Sequence, residues 1–429
     1  MNKEILRLAI PNIISNISVP LLSAVDTVLM GHLSTTHLAA LGVGAMIFTF
    51  LYGNFNFLRM GTTGLGAQAY GKDNNKELTY ILLRAMMIAI VLGIILIIFQ
   101  KSIIEAAVYL MNVESSYLSK VYDYFYIRIY AAPAILLIYV LMGWYFGLQN
   151  AYYPLLITIV INISNIIFSI YFVKVLHMGV LGAAYGTVIA QYIGLLLALV
   201  LLFFYRDKFV SVNLKKLLQK KPLFSFLNIN INIFIRTVAL TFVLAFFYAQ
   251  AAKAGKETLS VMVLLLQFMI WMAFSIDGFA NASESLVGKY YGQKQWNLFY
   301  KSIRYCFYWS GGFALLFALF YYVYGEFILS IYTNDHILIK NTLKYMNWVA
   351  FMPVISFPAF MWDGIFIGMM ASVAMRNAVV LSTILFLIVF YLTKQIDYSW
   401  SLWFSFLLFF LFRGILQSWM FYKYRRKLR

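Results

Sequence analysis

The chain has 429 residues, of which 63% are hydrophobic and only 11% are charged, and its mean hydropathy is +0.83. A soluble protein of this length needs far more polar surface, so the composition indicates an integral membrane protein. The formal charge of +18 is spread along the chain in a way that argues against a nucleic-acid partner, and the single cysteine, Cys306, excludes a disulfide framework.

Apolar stretches of about 20 residues recur along the whole chain, and each is long enough to cross a bilayer as a helix. The first begins after Lys3 and Arg7 without a convincing small-residue cleavage site, so we interpret it as a retained helix rather than a signal peptide. The pattern predicts twelve spans in two sets of six: 8–33, 38–60, 79–100, 127–149, 154–175 and 179–205, then 226–251, 258–284, 302–324, 345–368, 373–393 and 399–422.

These spans predict an all-α integral membrane protein made of two six-helix lobes. We expect an N-terminal lobe at 1–205, a basic cytoplasmic linker at 206–225 and a C-terminal lobe at 226–429. Lysine and arginine are concentrated in the linker, in the tail and in the other loops on the side of both termini. This bias is typical of the cytoplasmic side, where such residues also contact anionic lipids. The prediction is a multi-pass protein of the cell membrane with both termini in the cytoplasm.

The two halves of the chain repeat each other at an offset of 221 residues. Glycines show the correspondence clearly, since Gly71 matches Gly292 and Gly143 matches Gly364. Because each copy contains six spans, both copies enter the membrane from the same side, and the repeats are parallel. This layout is associated with alternating-access transporters, in which the substrate binds between the two lobes.

Five short motifs in both halves carry a resemblance to a known family. They are "VDTVLMG" in the first span, "NIIFSIYFVKVLHMGVLGAAYGTVIAQ" across the fifth and sixth, and "IFIRT", "DGFANASESLVG" and "WDGIFIG" in the second half. With these motifs in this order, the chain resembles the multidrug and toxic compound extrusion (MATE) family, specifically its DinF-like subfamily. The resemblance implies a twelve-helix transporter that exports amphipathic, often cationic compounds in exchange for a cation.

The resemblance also implies a cation site in the N-terminal lobe, at Asp26, Asn165 and Thr187. The family often carries a second carboxylate four residues after the asparagine, and the residue at that position here is Ser169. Spacing from the helix ends supports one site, because Ser169 and Thr187 lie equally far from the turn near Met178. Asp26 lies at a similar depth. The alternative is that the neutral residues only join helices through hydrogen bonds.

Asp26 is the only charged side chain between residues 8 and 33. A charge at mid-membrane depth costs about 2.5–3.5 kcal/mol on insertion scales. Low dielectric favours the neutral form of a carboxyl group, so such a group can exchange a proton near working pH. We expect Asp26 to bind a proton rather than sodium, because sodium prefers several oxygens that include anionic ones. Sodium is the alternative if backbone carbonyls complete its shell.

A second set of charged residues falls within the spans of the C-terminal lobe: Arg236, Asp277, Glu284 and Asp363. Asp277 and Glu284 share one face of the eighth span. We hypothesise that Arg236 pairs with Asp277, and the sequence leaves open whether this contact is purely structural or takes part in transport. Glu284 and Asp363 would then leave an excess of negative charge, which suits a cationic substrate or a second proton.

We therefore predict a monomeric proton antiporter in the bilayer, with small amphipathic or cationic molecules as substrates and no cofactor. No metal site is expected, because the four histidines lack metal-ligand spacing. A flippase for lipid-linked saccharides or lipids is the alternative within this fold, and it predicts a strongly cationic cavity. An enzyme would need a clustered nucleophile or a metal motif, and the sequence offers neither. A channel would not need two repeats with a lone titratable group.

Overall fold

The computed structural model describes residues 1–425, apart from the side chains of residues 19–24 and 214, and in this part of the chain all regular structure is helical. The first half contains α1 (Asn2–Gly31), α2 (Thr35–Asn54), α3 (Phe57–Gly71), α4 (Asn75–Ile98), α5 (Gln100–Met111), α6 (Ser115–Arg128), α7 (Ala132–Gly147), α8 (Tyr152–Ile170) and α9 (Gly179–Leu202). The second half contains α10 (Leu214–Leu217), α11 (Lys220–Lys253), α12 (Lys256–Gly292), α13 (Trp296–Tyr332), α14 (His336–Leu343), α15 (Met346–Gly368), α16 (Ser372–Thr393) and α17 (Tyr398–Arg425). Three shorter segments complete the list: 3-10 helices at Ile129–Ala131 and Phe203–Lys208, and a π-helix at Tyr171–Val175.

The helices match the predicted spans. Eleven segments of the described chain are long and apolar enough to cross a membrane, from Thr35–Gly71, which combines α2 and α3, to Tyr398–Arg425. The remaining predicted span, 8–33, falls largely within α1. The prediction of an all-α protein with twelve membrane helices in two repeats is therefore confirmed, and the chain is a multi-pass membrane protein. The last four residues of the basic tail lie outside the described residues.

Polar side chains fix the starts of several helices. The Asp335 carboxylate accepts hydrogen bonds from the backbone amides of Ile337 (2.9 Å) and Leu338 (3.1 Å) at the start of α14. Asn74 accepts a bond from the Glu77 amide (3.0 Å) in the same way at the start of α4. These caps satisfy amide groups that have no partner within the first turn of a helix.

Backbone geometry repeats at the offset seen in the sequence. Asp73 and Lys294, which follow α3 and α12, have φ values of 50° and 56°. Gln149 and Met370, which follow α7 and α15, have φ values of 62° and 57°. Positive φ is uncommon for residues other than glycine. Positive φ recurs in two pairs of residues, and the members of each pair are 221 positions apart. The two halves therefore end these helices in the same way.

Close helix packing repeats as well. A methyl group built on Gly143 of α7 would lie 2.4 Å from the carbonyl oxygen of Arg59 on α3. A methyl group on Gly364 of α15 would lie 2.2 Å from the carbonyl oxygen of Ala280 on α12. The two contacts correspond, because Gly143 and Arg59 each lie 221 residues before Gly364 and Ala280, respectively. Only glycine allows the two backbones to approach this closely.

The chain divides into two compact units. The N-terminal unit contains Ile14–Leu227, and the C-terminal unit contains Asn228–Arg429 together with Met1–Ile13. The start of α1 packs on α12: a methyl group on Gly278 would lie 3.0 Å from the Ala9 carbonyl oxygen, and Asn281 donates to Asn12 at 3.4 Å. The units therefore differ from the predicted division in two places: residues 1–13 belong to the C-terminal unit, and the predicted linker 206–225 belongs to the N-terminal unit.

The linker after α9 is attached to α4 by polar contacts. The guanidinium of Arg84 donates to the carbonyl oxygens of Lys216 (2.8 Å) and Leu217 (3.1 Å), which end the short helix α10. The Tyr80 hydroxyl accepts from the backbone amide of Asn213 at 3.1 Å. A positive side chain is favourable at the C-terminal end of a helix because the last carbonyl groups there lack partners.

Candidate cation site and charge cluster

The four polar residues predicted to form a cation site lie together in the N-terminal unit. Asp26 of α1 is only 8% exposed. Ser169 Oγ is within hydrogen-bonding reach of the Asp26 carboxylate and lies 3.5 Å from Asn165 Oδ1, so its single proton can serve either acceptor. The Asn165 amide donates to Thr187 Oγ1 at 2.9 Å. The contacts run without a break from α1 through α8 to α9.

Small residues on α9 make this arrangement possible. A methyl group built on Gly186 would lie 2.7 Å from the backbone nitrogen of Ser169, so any larger residue would push α9 away from α8. Thr187, the next residue along, reaches Asn165 because of this close approach. Immediately after the site, α8 continues into the π-helix Tyr171–Val175. Helical segments of this type are rare and are found frequently at functional sites.

The site opens into a cavity of about 390 Å³ that is lined by α1, α2, α6, α8 and α9. Asp26, Asn165 and Thr187 lie in its wall, whereas Ser169 is fully buried and absent from the lining. The other lining residues, most of which the sequence analysis does not single out, are Thr27, Leu38, Leu41, Gly42, Ala45, Thr49, Tyr124, Arg128 and Gln191.

Arg128 is a positive charge that the sequence analysis misses. It lines the same cavity as Asp26, and the two charges attract each other. Its guanidinium donates to the Tyr124 hydroxyl and lies over the rings of Phe48 and Tyr124, 5.1 and 5.5 Å from their centroids. Asp26 therefore shares its cavity with a guanidinium held by aromatic contacts.

The position of Arg128 depends on how α6 packs. A methyl group on Gly44 of α2 would lie 2.4 Å from Tyr124 Cδ1, so this glycine allows the Tyr124 ring to lie against α2. In the sequence Arg128 stands at the edge of the predicted span 127–149, where an arginine is expected near the headgroups. The available signal is the helical spacing of Tyr124 and Arg128, which places them on one face at i and i+4.

The C-terminal unit contains a buried ionic centre around Asp363 of α15. Arg236 of α11 forms an ion pair with Asp363 Oδ2. Arg413 of α17 donates to the same oxygen at 2.7 Å, and Gln417 donates to Oδ1 at 2.7 Å. The Arg413 side chain also lies over Phe409 and two other rings. Three helices are thus joined through one carboxylate with three donors.

This centre corrects one part of the sequence hypothesis. Asp363 does not leave an excess negative charge, because two guanidinium groups and an amide surround its carboxylate. Arg236 forms an ion pair with Asp363, and its hypothesised pairing with Asp277 stays a prediction. Asp277 interacts electrostatically with Arg413, and Glu284 is buried on α12 with 1% exposure. Arg413 was detectable in the sequence as the only charged residue between positions 398 and 422.

The two clusters have different chemical capacities. In the N-terminal unit a buried carboxylate faces a cavity, with an amide and two hydroxyl groups beside it, which is a setting for reversible cation binding. In the C-terminal unit the Asp363 carboxylate is saturated by donors, which is a setting for holding helices together. Among the described residues, no group of three or more histidine, cysteine or acidic side chains is arranged to hold a metal ion.

The chain is similar to known proteins over nearly its whole length. A family model described as MatE matches residues 11–171 and again residues 233–393. The chain is 32% identical to DNA damage-inducible protein F of Escherichia coli (strain K12) over 416 residues, which cover 96% of this chain and 90% of that protein. It is 23% identical to a probable multidrug resistance protein NorM of Bacillus cereus, over 80% of this chain and 78% of that one. Among solved structures, MATE in a bent conformation has the same fold, with a TM-score of 0.90 at 18% identity, covering 100% of this chain and 95% of the other.

Proposed function

The chain belongs to the MATE family, whose members are membrane transporters and not enzymes, and on this premise we propose that it is a secondary active antiporter. It exports amphipathic, often cationic compounds while protons move inward. The relative named as a probable multidrug resistance protein supports an export function. The internal repeat supports alternating access, since parallel repeats are a common architecture of such transporters.

The observation that carries the proposal is the setting of Asp26. Its carboxylate is buried and lines a cavity of about 390 Å³, and one oxygen, Oδ1, has no hydrogen-bond partner among the described residues. A buried oxygen left without a donor is costly, and protonation of the carboxyl group or binding of a cation relieves that cost. A purely structural carboxylate would instead be surrounded by donors, as Asp363 is.

In the proposed mechanism, protonation of Asp26 changes how α1 packs against α8 and α9. The ionised carboxylate interacts with Ser169, whose hydroxyl group donates to Asn165 Oδ1 at 3.5 Å. A protonated carboxyl group becomes a donor at one oxygen and loses its charge, so these contacts rearrange. The resulting movement of α1 shrinks the cavity and releases the substrate, and loss of the proton on the other side restores the site.

The lining of the cavity favours a proton over sodium as the coupling ion. Asp26 is the only acidic side chain among the described residues that line it. One carboxylate is sufficient for a proton, whereas sodium prefers several oxygens, usually including anionic ones, to replace its water shell. A flippase for lipid-linked saccharides needs a strongly cationic central cavity, and the acidic residues within the predicted spans argue against it.

The remaining parts of the proposal concern placement and assembly. The excess of lysine and arginine on one side supports cytoplasmic termini in the cell membrane. We propose that the transporter works as a monomer, because each chain carries both of its repeats. Its direct partners are small amphipathic molecules and the lipid bilayer.

The test is transport by the purified protein in liposomes, with proton and sodium gradients imposed separately. Efflux of a fluorescent cationic dye should follow the pH gradient, be indifferent to sodium, and be lost in Asp26→Asn. Asp123→Asn, which removes an exposed acid from α6, is the control and should transport normally. Efflux driven by sodium at constant pH would refute proton coupling, and downhill flux alone under a pH gradient would indicate a channel.

A further inference from the structure

We propose that Arg128 makes the Asp26 site selective for protons, because its fixed positive charge prevents sodium from binding at the carboxylate. The inference rests on the proton antiport proposed above and names the residue that decides which cation can couple. Without Arg128, the same set of oxygen atoms would become a sodium site.

The charge of Arg128 is permanent and is held in place. A guanidinium stays protonated in proteins. Here it is anchored by a hydrogen bond to Tyr124 and by the faces of Phe48 and Tyr124, and Gly44 gives that tyrosine its place against α2. Its Nε atom is buried and has no hydrogen-bond partner among the described residues.

Asp26 is the anion that the positive charge of Arg128 attracts. The described groups with which Arg128 interacts electrostatically are Asp26 on α1, Tyr52 on α2 and Tyr124 on its own helix. Phenols are neutral near pH 7, so the carboxylate alone carries negative charge. Arg128 and Asp26 both line the cavity without forming a salt bridge in the described contacts, and any ion bound at the carboxylate therefore lies in the field of the guanidinium.

The two cations make different demands on the site. With a proton or with sodium bound at Asp26, the cavity carries the same net charge of one guanidinium, so repulsion by Arg128 penalises both. A proton forms a covalent O–H bond and needs no further ligands. Sodium must exchange its water shell for several oxygens, and the site offers only one carboxylate, so its affinity for the site is weak. Repulsion by the neighbouring guanidinium lowers this affinity further, and sodium therefore does not bind.

The remaining ligands are suited to sodium once the guanidinium is removed. Asn165 Oδ1, Thr187 Oγ1 and Ser169 Oγ lie along one connected set of hydrogen bonds beside the carboxylate. One carboxylate with neutral amide and hydroxyl oxygens is the kind of oxygen shell that hard cations take. With Arg128 replaced by a neutral residue, a bound sodium ion would leave the cavity uncharged.

The experiment measures binding of radioactive sodium to the purified full-length protein at constant ionic strength, with choline as the replacing cation. Arg128→Gln should bind sodium at least about tenfold more tightly than the unmodified protein. The double variant Arg128→Gln/Asp26→Asn should lose that binding, and Arg128→Lys, which keeps the charge, should not gain it. If Arg128→Gln is not recovered folded, Arg128→Met keeps the stem over the aromatic rings and serves the same test.

The outcomes separate this inference from the proposed function. If neither neutral variant binds sodium, while the unmodified protein still shows proton-driven efflux, the role of Arg128 is wrong and proton antiport stands. If the unmodified protein itself binds sodium at Asp26, both this inference and proton coupling fail. Sodium binding that appears in Arg128→Gln but survives Asp26→Asn also overturns the inference, because the new site is then elsewhere.

Discussion

Arg236 and Asp363, 127 residues apart in the chain, form a buried ion pair that joins α11 to α15. Arg413 binds the same carboxylate oxygen from α17, so the pair belongs to a centre in which one acid holds two guanidinium groups. Removing one member of a buried ion pair is much more costly than removing both, because a lone buried charge remains. The centre therefore predicts how the free energy of unfolding changes when its charges are removed singly or together.

Asp363→Asn should be the most destabilising single change at this centre, since it leaves both Arg236 and Arg413 without their acid. The expected cost is about 3–5 kcal/mol of unfolding free energy. In a double-mutant cycle followed by thermal unfolding in detergent, Arg236→Gln/Asp363→Asn should cost less than the sum of the single changes. The matched cycle with Asp277→Asn should show the smaller coupling energy. A larger coupling between Arg236 and Asp277 would show that Asp277, and not Asp363, is the main partner of Arg236.

The repeated glycine contacts predict matching losses of stability in the two halves. Gly143→Ala and Gly364→Ala each place a methyl group against a backbone carbonyl, so the helices must shift, at a cost of about 1–3 kcal/mol. Gly312→Ala is the control, because a methyl group there meets nothing within 4 Å and alanine favours a helix. Melting temperatures in detergent should fall for the first two variants and not for the third. Equal values for all three would contradict the packing.

The charge bias predicts the orientation of the chain in the membrane. Single cysteines at Lys215 and Asn334, both exposed positions, should differ in labelling by an impermeant thiol reagent in intact cells. The Asn334 variant should react, and the Lys215 variant should react only after the membrane is opened. Cys306 is buried and contributes little background. Labelling of Lys215→Cys alone in intact cells would reverse the assigned topology.

Ser169 predicts a way to change the coupling ion. Ser169→Asp adds a second carboxylate next to Asp26 and should create sodium-dependent efflux, because sodium then receives more anionic oxygens. Ser169→Asn has the same size without the charge and is the matched control. Efflux is measured in liposomes with a sodium gradient at constant pH. If both variants behave alike, charge at this position does not determine the ion.

Sequence alone was sufficient for the twelve spans, the two repeats and the family, and it pointed to Asp26 and its three polar neighbours. These properties depend on hydropathy over about 20 residues and on local spacing, and both can be determined from consecutive residues of the sequence. Equal distance from one helical turn was enough to place Ser169 and Thr187 at the same depth, and the structure joins both to Asn165.

Only the tertiary structure decided which charges face each other. The predicted spans of the C-terminal half contain three acidic residues that could pair with Arg236. In the structure, the packing of α11, α15 and α17 places Asp363 against both Arg236 and Arg413. Arg128 lies at a span edge in the sequence, yet the packing of α6 on α2 through Gly44 brings it into the cavity of Asp26. Which charged residues form pairs depends on contacts between helices that are far apart in the chain. Those contacts depend on how each helix is rotated about its axis, and local sequence patterns do not specify that rotation.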